Sequence, residues 1–268
     1  MPMDPHPLAW FATCTPTQAV VAVGVLARMA AVVWAGGLPL ASGAEARVQA
    51  AVAAVLTVAA VPAALAAAPT PPLSGGSILG LVCGEALAGL GIGLAVAAVF
   101  AAASWAGQLL GSVTGLSWAD DFGAGSDTES AGVGRLAWWL GLAGFIAAGG
   151  HEALIAGLVD GVRSLPVGAV GAAPVRAGLV ELVATMPSIG LALAMSLALP
   201  ALAAVLACHL VAVIVVRSVG FDPGQGLLQA AAALVLLAAM CSGTDSWIGG
   251  FAAAVQPPLE RCLHDIRP

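Results

Sequence analysis

Residues 84–123 read GEALAGLGIGLAVAAVFAAASWAGQLLGSVTGLSWADDFG, and this stretch decides what kind of chain this is. No charge occurs in the 34 residues from Ala86 to Ala119. About 20 apolar residues suffice for a helix to cross the hydrocarbon core of a bilayer. Glycines recur at four-residue spacing through the same region: Gly80–Gly84, Gly89–Gly93, then Gly107–Gly111–Gly115. On a helix that spacing lines them along one face, where missing side chains let a second backbone approach closely. A phosphate-binding loop is excluded, since GLGIG lacks the GxGxxG spacing and no strand precedes it. The run ends abruptly in four acids, Asp120, Asp121, Asp127 and Glu129. No Lys, Arg or His lies between Arg47 and Arg135 to pair with them.

The rest of the 268 residues extends this character. Hydrophobic residues make up 60% and charged residues only 8%, and the mean hydropathy is +1.03. A soluble domain carries about 25% charged residues, so this chain is read as an integral membrane protein. Lys, Asn and Tyr are missing altogether. A net charge of −6, with eight scattered arginines, excludes nucleic acid as a partner, because phosphate binding needs clustered Lys and Arg. The five cysteines, at 14, 83, 208, 241 and 262, show no CxxC spacing and read as small core residues. The N-terminus MPMDPHPLAW has no Lys or Arg before position 28, a poor secretory n-region, so no cleaved signal is expected.

Turn chemistry divides the chain into about six long helices, at roughly 16–38, 46–68, 77–111, 133–161, 174–217 and 226–254. The intervening breaks are GGLPLASGAE, APTPPLSGG, the acidic stretch, RSLPVGAVGAAP and GFDPGQG, with a tail from QPP. Residues 1–268 are read as one membrane-embedded domain. Two features sit badly with a plain bundle of spans. Leu182–Val216 is uncharged for 35 residues and contains Pro187 and Pro200, too long for one upright span. The helix at 77–111 contains Glu85, and a carboxylate at the bilayer centre costs about 2.5–3.5 kcal/mol on insertion scales. Arg261 and Arg267, just beyond the last apolar run, favour a cytoplasmic C-terminus.

Few residues could carry chemistry. GGHEALIAGLVD lacks the second imidazole of HExxH, because position 155 is Ile, so no metal site is expected there. His209 stands alone in an apolar helix. Glu85 and Glu181 are the remaining candidate buried acids, for which a hydrogen bond to a neighbouring helix or subunit is favoured over proton coupling. Histidines at 6, 151, 209 and 264 build no nucleophilic constellation, and neither catalysis nor a cofactor is expected.

The stretch at 84–123, followed by GFIAAGGHEALIAGLVDGVRSLPVG, resembles the FliR family of flagellar biosynthetic proteins, which includes the injectisome export protein SctT. The resembling elements are the Gly-Glu opening a glycine-rich helix, the Phe near its middle, AGQLLG, GLSWA, GGH and LPVG. Arg28 with Leu38-Pro39, EARVQAAVAAVLTVAAVP, and LALPALAAVLACHLVAVIVVR ending at Arg217 extend it over nearly the whole chain. The chain departs from the family's pattern at DDFGAGSD, which lacks a proline, at Gly149-Gly150-His151, and at SVGFDPGQG. The resemblance implies helical hairpins within a roughly conical export gate in the bacterial inner membrane at the flagellar basal body. Implied partners are FliP-like and FliQ-like gate subunits, FlhB-like and FlhA-like export proteins, unfolded protein substrates and membrane lipids. It further implies that the loop at about 112–130 plugs the pore. Gly111 and Gly115 would give it freedom, Leu116, Trp118 and Phe122 would seal it, and Asp120 and Asp121 would face an aqueous lumen or a neighbouring chain. Glu85 and Arg217 are expected as buried polar residues of the assembly, Glu85 facing neighbouring subunits. On that basis Glu85→Gln is expected to retain much of the export. The alternative from a different class is a small-molecule or ion transporter working through Glu85, Glu181 and His209, though no internal repeat supports it.

Overall fold

The computed structural model describes residues 15–36, 38–39, 44–67, 78–116, 132–147, 149–169, 173–219 and 224–242. Among them the chain is all helical, with no strand. Seven helices follow in order: α1 (Pro16–Trp34), α2 (Ala46–Ala67), α3 (Ile78–Thr114), α4 (Val133–Ala147), α5 (Gly150–Ser164), α6 (Ala173–Val219) and α7 (Gly224–Ser242). Four of them, with α6 counted from Val183 to Ser218, are long and apolar enough to cross a membrane. The number is five if α4 and α5 form one bent span.

The ends of these helices follow from local chemistry. Thr15 caps α1, its Oγ1 accepting from the Gln18 N–H at 3.4 Å while Gln18 Oε1 accepts from the Thr15 N–H at 2.9 Å. Pro16 at the first helical position has no amide to leave unpaired. At the other end, Gly36 turns to φ +82°, so the helix stops at Trp34 rather than running to 38. α3 ends in a Schellman cap. The Leu116 N–H donates to Gly111 O at 2.9 Å and the Gly115 N–H to Ser112 O at 3.3 Å, with Gly115 at φ +70°.

The single helix expected over 133–161 is two. Gly149 adopts φ +70° and donates to Ile146 O at 3.0 Å, ending α4. Its own carbonyl then accepts from the N–H groups of Glu152 and Ala153, which starts α5. α5 is the amphipathic element. Leu154, Gly157, Leu158 and Val162 are buried, while Glu152 lies in its first turn and Arg163 in its last, both favourable to the helix dipole. Of the helix expected at 226–254, the structure describes the part ending at Ser242.

The chain divides into two compact units. Among the described residues, one comprises those up to Val96 and Leu154–Ala184; the other comprises Ala97–Ala153 and those from Thr185 to Ser242. In the first, α1 packs against α2. Its buried stripe Val21, Val25, Met29, Val32 and Val33 repeats at three- and four-residue steps. In the second, Phe100 of α3 meets Phe145 of α4 edge-to-face, ring centroids 4.9 Å apart. α6 contributes Leu193, Ala194, Leu197, Ala198, Ala201 and Val205 to the core.

Its other faces carry Leu199, Leu206, Leu210, Val213 and Ile214, all exposed in the chain alone. Between Leu182 and Val216 α6 carries no Asp, Glu, Lys or Arg and its exposed faces are largely apolar, as expected of a helix surrounded by lipid or protein.

A buried polar cluster as candidate functional site

Two isolated charges meet in the first unit. Arg28 is the only charged residue between Asp4 and Glu45, and Glu85 the only one between Arg47 and Asp120. Both are almost fully enclosed, Arg28 at 2% exposure and Glu85 at 0%. Arg28 Nε donates to Glu85 Oε2 at 2.7 Å. The pair is not closed on itself: Arg28 Nη1 donates to the carbonyl of Leu165 at 2.8 Å, and the Gly168 N–H donates to Glu85 Oε1 at 2.8 Å. One guanidinium from α1 and one carboxylate from α3 thus grip both sides of the turn that follows α5.

The gripped segment is Leu165-Pro166-Val167-Gly168, which runs into a turn formed by Pro166 to Ala169. The Ala169 N–H donates to Pro166 O at 3.0 Å, and Gly168, third in the turn, adopts φ +91°, a sign that favours glycine. Val167 is buried, and Gly24 of α1 makes room for it. A Cβ added at Gly24 would lie 2.6 Å from Val167 Cγ1. Arg28 Nη2 lies 2.5 Å from Glu85 Oε2, within ion-pair range but without hydrogen-bond alignment. Its protons therefore find no acceptor among the described residues. The ion pair is one aligned Nε bond plus the charge attraction, not a bidentate fork.

The chemistry of this cluster is fixation. Each charge neutralises the other in surroundings where either alone would be expensive. Both carboxylate oxygens are occupied by donors. Among the described residues no group of three His, Cys, Asp or Glu could hold a metal ion.

The glycines selected from spacing divide into distinct roles. A Cβ at Gly89 would strike the carbonyl of Arg28, and one at Gly93 would lie 2.8 Å from the carbonyl of Val32. Both mark backbone contact between α3 and α1. A Cβ at Gly107 would lie 2.7 Å from Val133 O and 2.8 Å from Gly134 Cα, marking contact with α4. Gly111 faces the Val133 side chain at 3.5 Å, ordinary packing distance. Gly115 forms the cap, Leu116 is half-buried beside it, Gly84 is half-buried and Gly80 is exposed. Trp118, Asp120, Asp121 and Phe122 lie outside the described residues.

Glu85, expected to face neighbouring subunits, has its contacts inside its own chain. Arg217, expected to be buried in the assembly, lies in the last turn of α6 and is exposed in the chain alone. Glu181 is exposed and His209 half-buried. His151, half-buried at the start of α5, has a buried Nδ1 with no partner among the described residues. The missed element is the gripping of LPVG by Arg28 and Glu85. Its signal was available, since two lone opposite charges in apolar helices each demand a partner. The turn's own part was hidden, because it acts through backbone groups.

A family model described as bacterial export proteins, family 1, matches residues 19–220. The match runs from the first turn of α1 to the end of α6 and contains all four residues of the cluster. No curated protein matches the chain.

Proposed function

Because this chain belongs to the bacterial export proteins, family 1, and is thereby a component of a protein-export apparatus, we propose that it is a structural subunit of the flagellar type III export gate. In this reading it is a FliR-like chain that completes, with FliP-like and FliQ-like subunits, a pore for unfolded export substrates. FlhA-like and FlhB-like proteins are its further neighbours in the inner membrane at the basal body. The observation that carries the reading is the family match over residues 19–220.

Helix dimensions support it. α3 has 37 residues and α6 has 47, lengths of about 55 and 70 Å at 1.5 Å per residue. Both exceed the roughly 30 Å of a bilayer core, which fits helices that pack into an assembly extending beyond the lipid. The loop at 112–130 is retained as the plug that the family implies, its residues 117–130 lying outside those described. An injectisome gate subunit is the nearest alternative. The transporter alternative loses ground, since both oxygens of Glu85 are engaged by Arg28 and Gly168.

Co-expression tests the reading. The chain should aggregate when purified alone and should purify in fixed stoichiometry with unlike FliP-like and FliQ-like subunits. Deleting it should abolish motility in the flagellar case and effector secretion in the injectisome case. A stable homo-oligomer that moves solute by itself in vesicles would overturn the proposal.

A further inference from the structure

We propose that Arg28 and Glu85 form a latch of fixed polarity, whose work is to hold the 165–168 turn in place rather than simply to join α1 to α3. A pair that only joined two helices would leave its remaining donors and acceptors to each other. Here Arg28 Nη1 and Glu85 Oε1 are spent on the turn. The guanidinium supplies a donor to the Leu165 carbonyl and the carboxylate supplies an acceptor to the Gly168 N–H. The turn presents one acceptor and one donor, so each can be met only by the charge now facing it. Val167, seated over Gly24, fills the space beneath. The latch therefore ties the segment leading into α6 to the first and third helices. Gly168 is itself exposed, and an exposed turn amide stays protected from solvent only if something holds it.

Three measurements on the full chain, in its complex, test this. In the unaltered protein the Gly168 amide should exchange hydrogen at least about tenfold more slowly than a free amide; free exchange would overturn the latch. Next, Arg28→Lys keeps the charge opposite Glu85 but replaces a fork spanning two acceptors with one ammonium nitrogen. It should accumulate in the membrane, yet lose Gly168 protection by several-fold. The third is the exchanged pair, Arg28→Glu with Glu85→Arg. It restores the ion pair but sets a carboxylate against the Leu165 carbonyl and a guanidinium against the Gly168 N–H. Position can be read independently by disulfide formation between Gly24→Cys and Val167→Cys in a background lacking the five native cysteines. Cross-linking should be efficient with the native pair and fall several-fold with the exchanged pair. If the exchanged pair cross-links as well as the native one, polarity is irrelevant and the proposal fails.

Discussion

At the scale of single residues, the decisive fact is that Glu85 is already spoken for inside its own chain. This reverses one expectation drawn from sequence. Glu85→Gln, expected to spare export, removes the only counter-charge among the described residues of a guanidinium that is 2% exposed. Breaking a buried pair from one side costs about 3–5 kcal/mol, so this variant should accumulate poorly and its complex should melt at lower temperature. Arg28→Gln should do the same for the opposite reason, stranding the carboxylate. Gly168→Ala isolates the backbone contribution. The nearest atom to an added Cβ is Leu81 Cδ1 at 4.0 Å, so there is room, but φ is +91°. The expected cost is about 1–2 kcal/mol, the penalty for a side chain in a left-handed conformation. Thermal unfolding of the purified complex measures both effects. The two charges were legible as isolated charges in apolar surroundings. That they share a turn was not, because Leu165 and Gly168 contribute a carbonyl and an amide that every residue possesses.

At the scale of helices, the four-residue glycine spacing predicted close packing, but the positions are not equivalent. Gly89 sits against the Arg28 carbonyl with no space for a methyl group, whereas Gly111 has 3.5 Å to Val133 Cβ. Replacing glycine by alanine favours a helix by about 1 kcal/mol where nothing obstructs it. Gly111→Ala should therefore be neutral or stabilising, and Gly89→Ala destabilising, a difference in sign from identical chemistry. Gly107→Leu, against the backbone of Val133 and Gly134, should separate α3 from α4 and abolish complex recovery. Yield of assembled complex in detergent reports all three. The length of α3 was readable from its uncharged run. The division of 133–161 into α4 and α5 was missed because Ala148, Gly149 and Gly150 interrupt no hydrophobic pattern. Only the φ of Gly149 reveals the stop.

At the scale of the molecule, outward faces of leucine, valine and isoleucine on α6 and α7 leave little that water could solvate. Such a chain is soluble only in lipid or among partners. The proposed plug belongs to this scale. Shortening Gly123–Thr128 should leave assembly intact and make the membrane leaky to ions, as measured by conductance of the intact complex. A tight membrane with normal secretion would reduce the stretch to a connector. Class was settled by sequence alone, because 60% hydrophobic and 8% charged residues permit no aqueous surface. Helix content followed from glycine and proline punctuation, whose effects are local. Which glycines meet a backbone, and which turn Arg28 and Glu85 hold, depended on tertiary structure. The bonds of Arg28 and Glu85 join residues 57 to 137 positions apart, and no local preference of the chain encodes a distance of that kind.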